Sequence, residues 1–248
     1  MINKYLEPVD AFINSFFIDE IKDLDFDFLD NGIDTIIESE ILQHIPVVSL
    51  INSIIKVTMG IRERHFLSKA LLFIKSVNQG NVDEKEIEKR KIAAKNNAKW
   101  FRKEIELITI HLDRLDEMEK SLITAEMYIE YINKNITWLQ FREYLAIIER
   151  VFYQDFDQLL KIYDAYLQEK KLEEKIKNGD GGATAKFITE LNCERLIAVG
   201  LIRPVRQPVA GGMISNYNLT EIGRVMAGAL VRVKNEIYRI YYENYRNN

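Results

Sequence analysis

The sequence predicts an all-α chain, a helical-bundle body followed by a smaller C-terminal module that holds one short β-hairpin. Three observations carry this expectation. Only four prolines and eleven glycines punctuate 248 residues rich in Ile, Leu, Lys and Glu, so helix breakers are scarce. Apolar residues recur at three- and four-residue spacings through most of the first 178 positions, the period of helices with one buried face. Two glycine-rich stretches interrupt that texture: Gly179-Asp180-Gly181-Gly182, which reads as a linker, and Gly211-Gly212, which reads as a hairpin turn. The expected domains are 1–178, with an acidic arm over about 1–40, and 183–248, which ends in a long helix. At 47% hydrophobic and 29% charged residues, the chain has the material for a proper core.

The opening helix is expected from about Tyr5 to Leu24, with Val9, Phe12, Ile13, Phe16, Phe17 and Ile21 on one face. Asp30-Asn31-Gly32 then turns the chain. After Ile45-Pro46 comes an apolar segment to Ile61, interrupted by Ser49, Asn52, Ser53, Lys56 and Thr58. A spanning helix needs about 20 predominantly apolar residues, so a central core helix is the first reading. An interfacial helix that inserts on demand is the second, with Ile51, Ile54 and Ile55 as its membrane-facing candidates.

Phe66 to Ile74 continues the helical pattern up to a turn at Asn78-Gln79-Gly80-Asn81. From Asp83 one long helix is expected. Its first half, Glu84 to Lys99, is wet and charged and is expected to project or meet a partner, whereas Phe101, Ile105, Ile108, Leu112, Leu115 and Leu122 form its apolar stripe. Three further helices are expected over Thr124–Tyr131, Thr137–Arg150 and Asp155 to about Lys177. No period of 20 to 50 residues repeats, which disfavours a solenoid.

In the last quarter, Ala198-Val199-Gly200-Leu201-Ile202 leads through a Pro- and Gly-bearing stretch to Tyr217-Asn218-Leu219-Thr220-Glu221-Ile222-Gly223-Arg224. Gly200 suits the left-handed residue that closes a helix, and Thr220 suits a helix cap. This run resembles the winged-helix family, in which a helix ends on Gly-Leu-Ile, a two-stranded wing follows, and the second strand ends in Tyr-x-Leu-Thr-x-x-Gly. The resemblance implies a recognition helix over about Thr184–Val199 and a final helix from Leu219 to about Tyr245, and it brings no catalytic residue. Separately, Ile45–Ile74, Leu112–Lys120 and Tyr131–Ile148 look similar to uncharacterised bacterial and prophage-borne helical proteins, a resemblance that implies a phage-defence setting.

Charge is distributed unevenly behind a net of −4. Residues 1–40 carry eleven acids against Lys4 and Lys22, while residues 56–103 carry thirteen bases against five acids. Opposite blocks either face each other or leave a basic surface for an anionic partner.

Catalytic and cofactor chemistry lack their residues. His44, His65 and His111 are isolated, and no His-Glu-x-x-His or cysteine pair supplies metal spacing. Asp27, Asn31, Gly32 and Glu38 mimic a calcium loop, but Leu29 stands where its third position needs an oxygen ligand. The lone Cys193 falls at an apolar helical position and reads as a small buried hydrophobe. The glycine stretch at 179–182 lacks the Gly-Lys-Ser/Thr ending of a phosphate loop. No catalytic, cofactor or metal residue is therefore assigned. The single cysteine and the start Met-Ile-Asn-Lys-Tyr, which has no signal-peptide pattern, lead to the expectation of a cytoplasmic protein.

Partner-binding candidates lie on the C-terminal module: Lys186, Glu190, Glu194 and Arg195 on the recognition helix, and Arg203 and Arg206 on the wing. Two carboxylates beside two bases on that helix disfavour DNA, whose phosphates dominate affinity. The leading expectation is thus a non-enzymatic interaction or regulatory protein with a protein partner. A membrane-acting effector is second and a DNA-binding regulator third, and the sequence leaves oligomeric state open.

Overall fold

The computed structural model describes residues 6–16, 44–49, 61–177, 193–209 and 212–246. Within these, the chain is mainly α-helical with a single two-stranded antiparallel hairpin, as the sequence predicts. It divides into two compact units, Met1–Leu145 with Asn235–Asn248, and Ala146–Lys234. The division falls ahead of the expected linker at 179–182, so the helix Tyr153–Lys177 groups with the hairpin. The sequence pattern places that helix in the body because Gly179-Asp180-Gly181-Gly182, which follows it, reads as the linker.

In the first unit, α1 spans Leu6–Ser15 with a turn at Phe16, and the remainder of the helix expected to Leu24, with Phe17 and Ile21, lies outside the described residues. Ser15 anchors the end of α1. Its buried hydroxyl donates to Ala11 O (2.8 Å) and accepts from Val47 N–H (2.9 Å), so the helix end is tied to the helical turn at 46–49. Phe12 and Phe16 are fully buried. Phe16 lies 5.8 Å from both Phe73 and Tyr128 and meets Phe101 edge-on at 6.3 Å, and Tyr128 continues to Phe141 at 5.6 Å. This aromatic cluster joins α1 to α2 (Ile61–Gln79), α4 (Lys99–Arg114), α5 (Lys120–Ile132) and α6 (Trp138–Ile148). Ile45, Val47 and Val48 are core residues, whereas Ile51, Ile54 and Ile55 lie outside the described residues. No described helix is long and apolar enough to cross a membrane.

The long helix expected from Asp83 is instead three helices. Asp83 caps α3 (Glu84–Lys95) by accepting from the N–H groups of Lys85 and Glu86. The chain then reverses at Asn97, which adopts φ +48°. Ala98 N–H bonds to Ala93 O (2.8 Å) and Asn97 N–H to Ala94 O (3.1 Å), the paired closure that ends many helices on a left-handed residue. Asparagine tolerates that conformation better than most residues, so Asn97 permits the break. A second break at Leu115–Glu119 separates α4 from α5. The charged helix therefore packs back along α4 rather than projecting.

The Leu115–Glu119 break is held by cations. Arg62 donates to Asp113 (Nε, 3.2 Å), Lys69 Nζ to Leu115 O (2.6 Å), and Lys120 reaches Asp116 at 2.6 Å and Glu117 at 3.1 Å. Lys69 is buried, and burial lowers its pKa to about 8, opposed by Asp113 and Asp116. Below pH 8 both folded and unfolded chains hold this proton. Between pH 8 and the ordinary lysine value of 10.5 the unfolded chain holds more, so this group's penalty fades and stability rises with pH. Denaturation of the wild type and Lys69→Met across that range is expected to show the wild type gaining on the variant above pH 8. A difference independent of pH would refute the assignment.

In the second unit, α7 (Tyr153–Lys177) packs against strand β2 (Gly212–Leu219), and the short α8 (Glu194–Ala198) packs against strand β1 (Ile202–Val209). Of the recognition helix expected over Thr184–Val199, only α8 is described, and it begins after Cys193 because that residue is its non-helical cap. Cys193 itself is buried, as its apolar spacing suggested. Burial and the neighbouring Asp155 push its thiol up to about 11, so it is no ready nucleophile. The final helix, α9, runs Glu221–Arg246.

Candidate functional site

The hairpin junction is built by three residues. Gly200 takes φ +76° and closes α8, with Leu201 N–H bonding to Leu196 O at 2.9 Å and Gly200 N–H to Ile197 O at 3.0 Å. Thr220 caps α9: its hydroxyl accepts from Gly223 N–H (3.0 Å) and donates to Gly200 O (2.7 Å), so one side chain ties the helix start to the helix end before the hairpin. Gly223 lets the Leu201 carbonyl lie against the first turn of α9, where a Cβ would come within 1.9 Å of that oxygen.

Between these ends, Ile202 pairs with Leu219 and the register continues without a bulge to Val209 opposite Gly212. The Val209–Gly212 closure makes odd-numbered β1 residues the hydrogen-bonded partners, so the even-numbered N–H positions face outward. Pro204 and Pro208 occupy two of them. Proline removes the donor a further strand would need, and the outer edge of β1 is thereby defended against strand addition.

Of the residues expected to bind a partner, Glu194 and Arg203 are exposed, and Arg206 lies on β1 opposite Ser215. Lys186 and Glu190 lie outside the described residues. Arg195 is exposed as well, but it is paired: its Nε donates to the buried Asp155 at 2.6 Å and its guanidinium sits 4.4 Å from the Phe152 ring centre.

The first unit holds a second site that hydrophobic periodicity missed. Along α3 the buried stripe is Glu86, Arg90 and Ala93. Arg90 is 3% exposed; it donates to Glu86 through Nη1 and to the equally buried Glu104 through Nη2, both at 3.1 Å. Its guanidinium lies 5.6 to 5.8 Å from the ring centres of Trp100, Tyr128 and Tyr131, within cation–π range. Burial works against the Arg90 charge, but Tyr128 and Glu104 outweigh it and hold its pKa above the usual arginine value. Burial pushes Glu104 up, partly offset by Arg90, and pushes the Tyr128 hydroxyl well above the ordinary tyrosine range.

Outside Arg90, Glu86 is held below the usual carboxylate range chiefly by Lys134, whose Nζ is 2.6 Å away, with Lys89 at 3.6 Å. Glu86, Lys89, Arg90, Trp100, Tyr131, Ile132 and Lys134 line a pocket of about 380 Å³. The clue available in the sequence was the Glu86/Arg90 spacing of four, which places both on one helix face. Among the described residues, no group of three or more His, Cys, Asp or Glu side chains is placed to hold a metal ion. His111, one of the isolated histidines, is buried with Nε2 3.1 Å from the Thr124 hydroxyl.

Compared with protein-family models, curated proteins and solved structures, the chain matches none.

Proposed function

We propose that this is a non-enzymatic interaction protein, a regulator or adaptor of the phage-defence kind its body resembles, which docks a partner protein through its winged-helix-like hairpin unit. The observation that carries the reading is the hairpin itself. Its base is locked by the Thr220 hydroxyl bridging Gly200 and Gly223, while its β1 edge is closed to strand pairing by Pro204 and Pro208. A firmly mounted hairpin with a blocked edge is suited to contact through side chains. The charge on the described surface favours protein over duplex DNA, because Arg195 is neutralised by Asp155 and Glu194 is exposed beside it.

Charge reversal of the exposed pair, Glu194→Lys with Arg203→Glu, tests this. The wild type is expected to co-purify a stoichiometric partner from its native host, and the double variant to lose it by about tenfold or more with an unchanged circular-dichroism spectrum. Equal recovery by both proteins removes this surface, and a mobility shift of duplex DNA at low salt that the double variant abolishes would replace the protein partner with DNA.

A further inference from the structure

Independently of the hairpin unit, the geometry of the first unit points to a small-molecule site: we infer that the pocket over Arg90 binds a planar aromatic anion of the nucleotide class, with its ring against Trp100 and its phosphates on Lys89 and Lys134. Four observations converge on that chemistry. The volume of about 380 Å³ falls at the lower end of small-molecule sites, about 300–1,000 Å³. Its walls include two aromatic rings, Trp100, which remains 42% exposed, and the half-buried Tyr131, whereas Tyr128 behind Arg90 is fully buried. A ring at the mouth of a pocket offers the stacking face that nucleobases use.

Charge supplies the third observation. Three cations, Lys89, Arg90 and Lys134, converge on Glu86; Glu104 stands behind Arg90, and Asp83 adds a further negative charge near Lys134. Glu86 opposes an incoming anion, but Arg90 keeps it paired from below at 3.1 Å. The two exposed lysines are therefore able to turn to phosphate without leaving Glu86 unpaired. Lys89 already stands 5.5 Å from the Trp100 ring centre, so ring and phosphate sites adjoin.

The backbone at Lys134 is the fourth. Three described helices end on the same paired closure, and their left-handed residues are Gly200, Asn97 and Lys134. Glycine and asparagine suit that conformation, whereas a lysine at φ +63° is strained by about 1 kcal/mol. The strained choice sets an ammonium at the pocket mouth. Backbone strain of this kind collects at ligand sites.

Isothermal titration calorimetry of the full chain with adenosine diphosphate, adenosine and inorganic pyrophosphate tests the inference. Adenosine diphosphate is expected to bind saturably and about tenfold or more tighter than either half alone. Trp100→Ala should reduce it to the affinity of pyrophosphate and leave pyrophosphate unchanged, whereas Lys89→Gln should weaken both. Lys134→Gly is the discriminating variant: relief of the left-handed strain raises the melting temperature while the lost ammonium weakens both phosphate ligands. A purely structural Lys134 would leave those affinities untouched. Absence of saturable heat with adenosine diphosphate, binding no tighter than pyrophosphate alone, or tighter binding of an oligothymidylate than of the mononucleotide would each overturn the inference, the last in favour of a single-stranded nucleic-acid surface.

Discussion

Replacing Glu104 with alanine is expected to destabilise the first unit by about 3–5 kcal/mol, the cost of stranding one partner of a buried ion pair. Arg90 would keep Glu86, but Glu86 lies at the pocket mouth and is shared with Lys89 and Lys134. The guanidinium, set among three rings, would lose the more buried of its two carboxylate partners among the described residues. Both tryptophans, Trp100 and Trp138, belong to this unit, so fluorescence-detected denaturation reports its unfolding. The double variant Arg90→Met, Glu104→Leu should recover most of the loss, because well-packed apolar groups commonly replace a buried pair without penalty. A Glu104→Ala variant within about 1 kcal/mol of wild type, the range of exposed pairs, would show that solvent already screens the cluster.

That network also marks where sequence reasoning reached its limit. On α4 the apolar stripe Phe101, Ile105, Ile108 and Leu112 is legible by period, but the same buried face includes Glu104 and His111. On α3 the buried face is Glu86, Arg90 and Ala93, which a hydrophobicity pattern reads as solvent. A pattern of apolar spacing detects faces that bury carbon and is blind to faces that bury paired charge. Opposite charge blocks facing each other was one of the two readings drawn from composition, and Arg102 on α4 does pair with Asp10 on α1. The reversal at Asn97 was missed for a different reason: two adjacent asparagines tolerate a left-handed turn without demanding one.

The C-terminal junction was legible because its residues are required by backbone geometry. Replacing Gly223 with alanine is expected to destabilise the hairpin unit by about 3 kcal/mol or more, at or beyond the upper end of overpacking penalties. The added Cβ would stand 1.9 Å from Leu201 O and 2.9 Å from Leu201 C. These are backbone atoms, and the Leu201 oxygen is held by the Thr220 N–H at 3.1 Å, so no side chain is available to yield. Two other glycines calibrate the effect. At Gly200 nothing lies within 4 Å of a Cβ and only the φ of +76° opposes alanine, about 1–2 kcal/mol. At Gly228 within α9 the nearest atom is the Tyr163 hydroxyl at 3.9 Å, and alanine should stabilise by about 0.5–1 kcal/mol through helix propensity. Because no tryptophan falls between Ala146 and Lys234, the measurement is hydrogen exchange followed by mass spectrometry across β1 and β2. Loss of protection in the order Gly223→Ala, then Gly200→Ala, with Gly228→Ala at or above wild type, is the expected result. Equal effects at Gly223 and Gly200 would mean that the Leu201 carbonyl moves aside at little cost, and that the close approach of the two chain segments does not hold the hairpin in place.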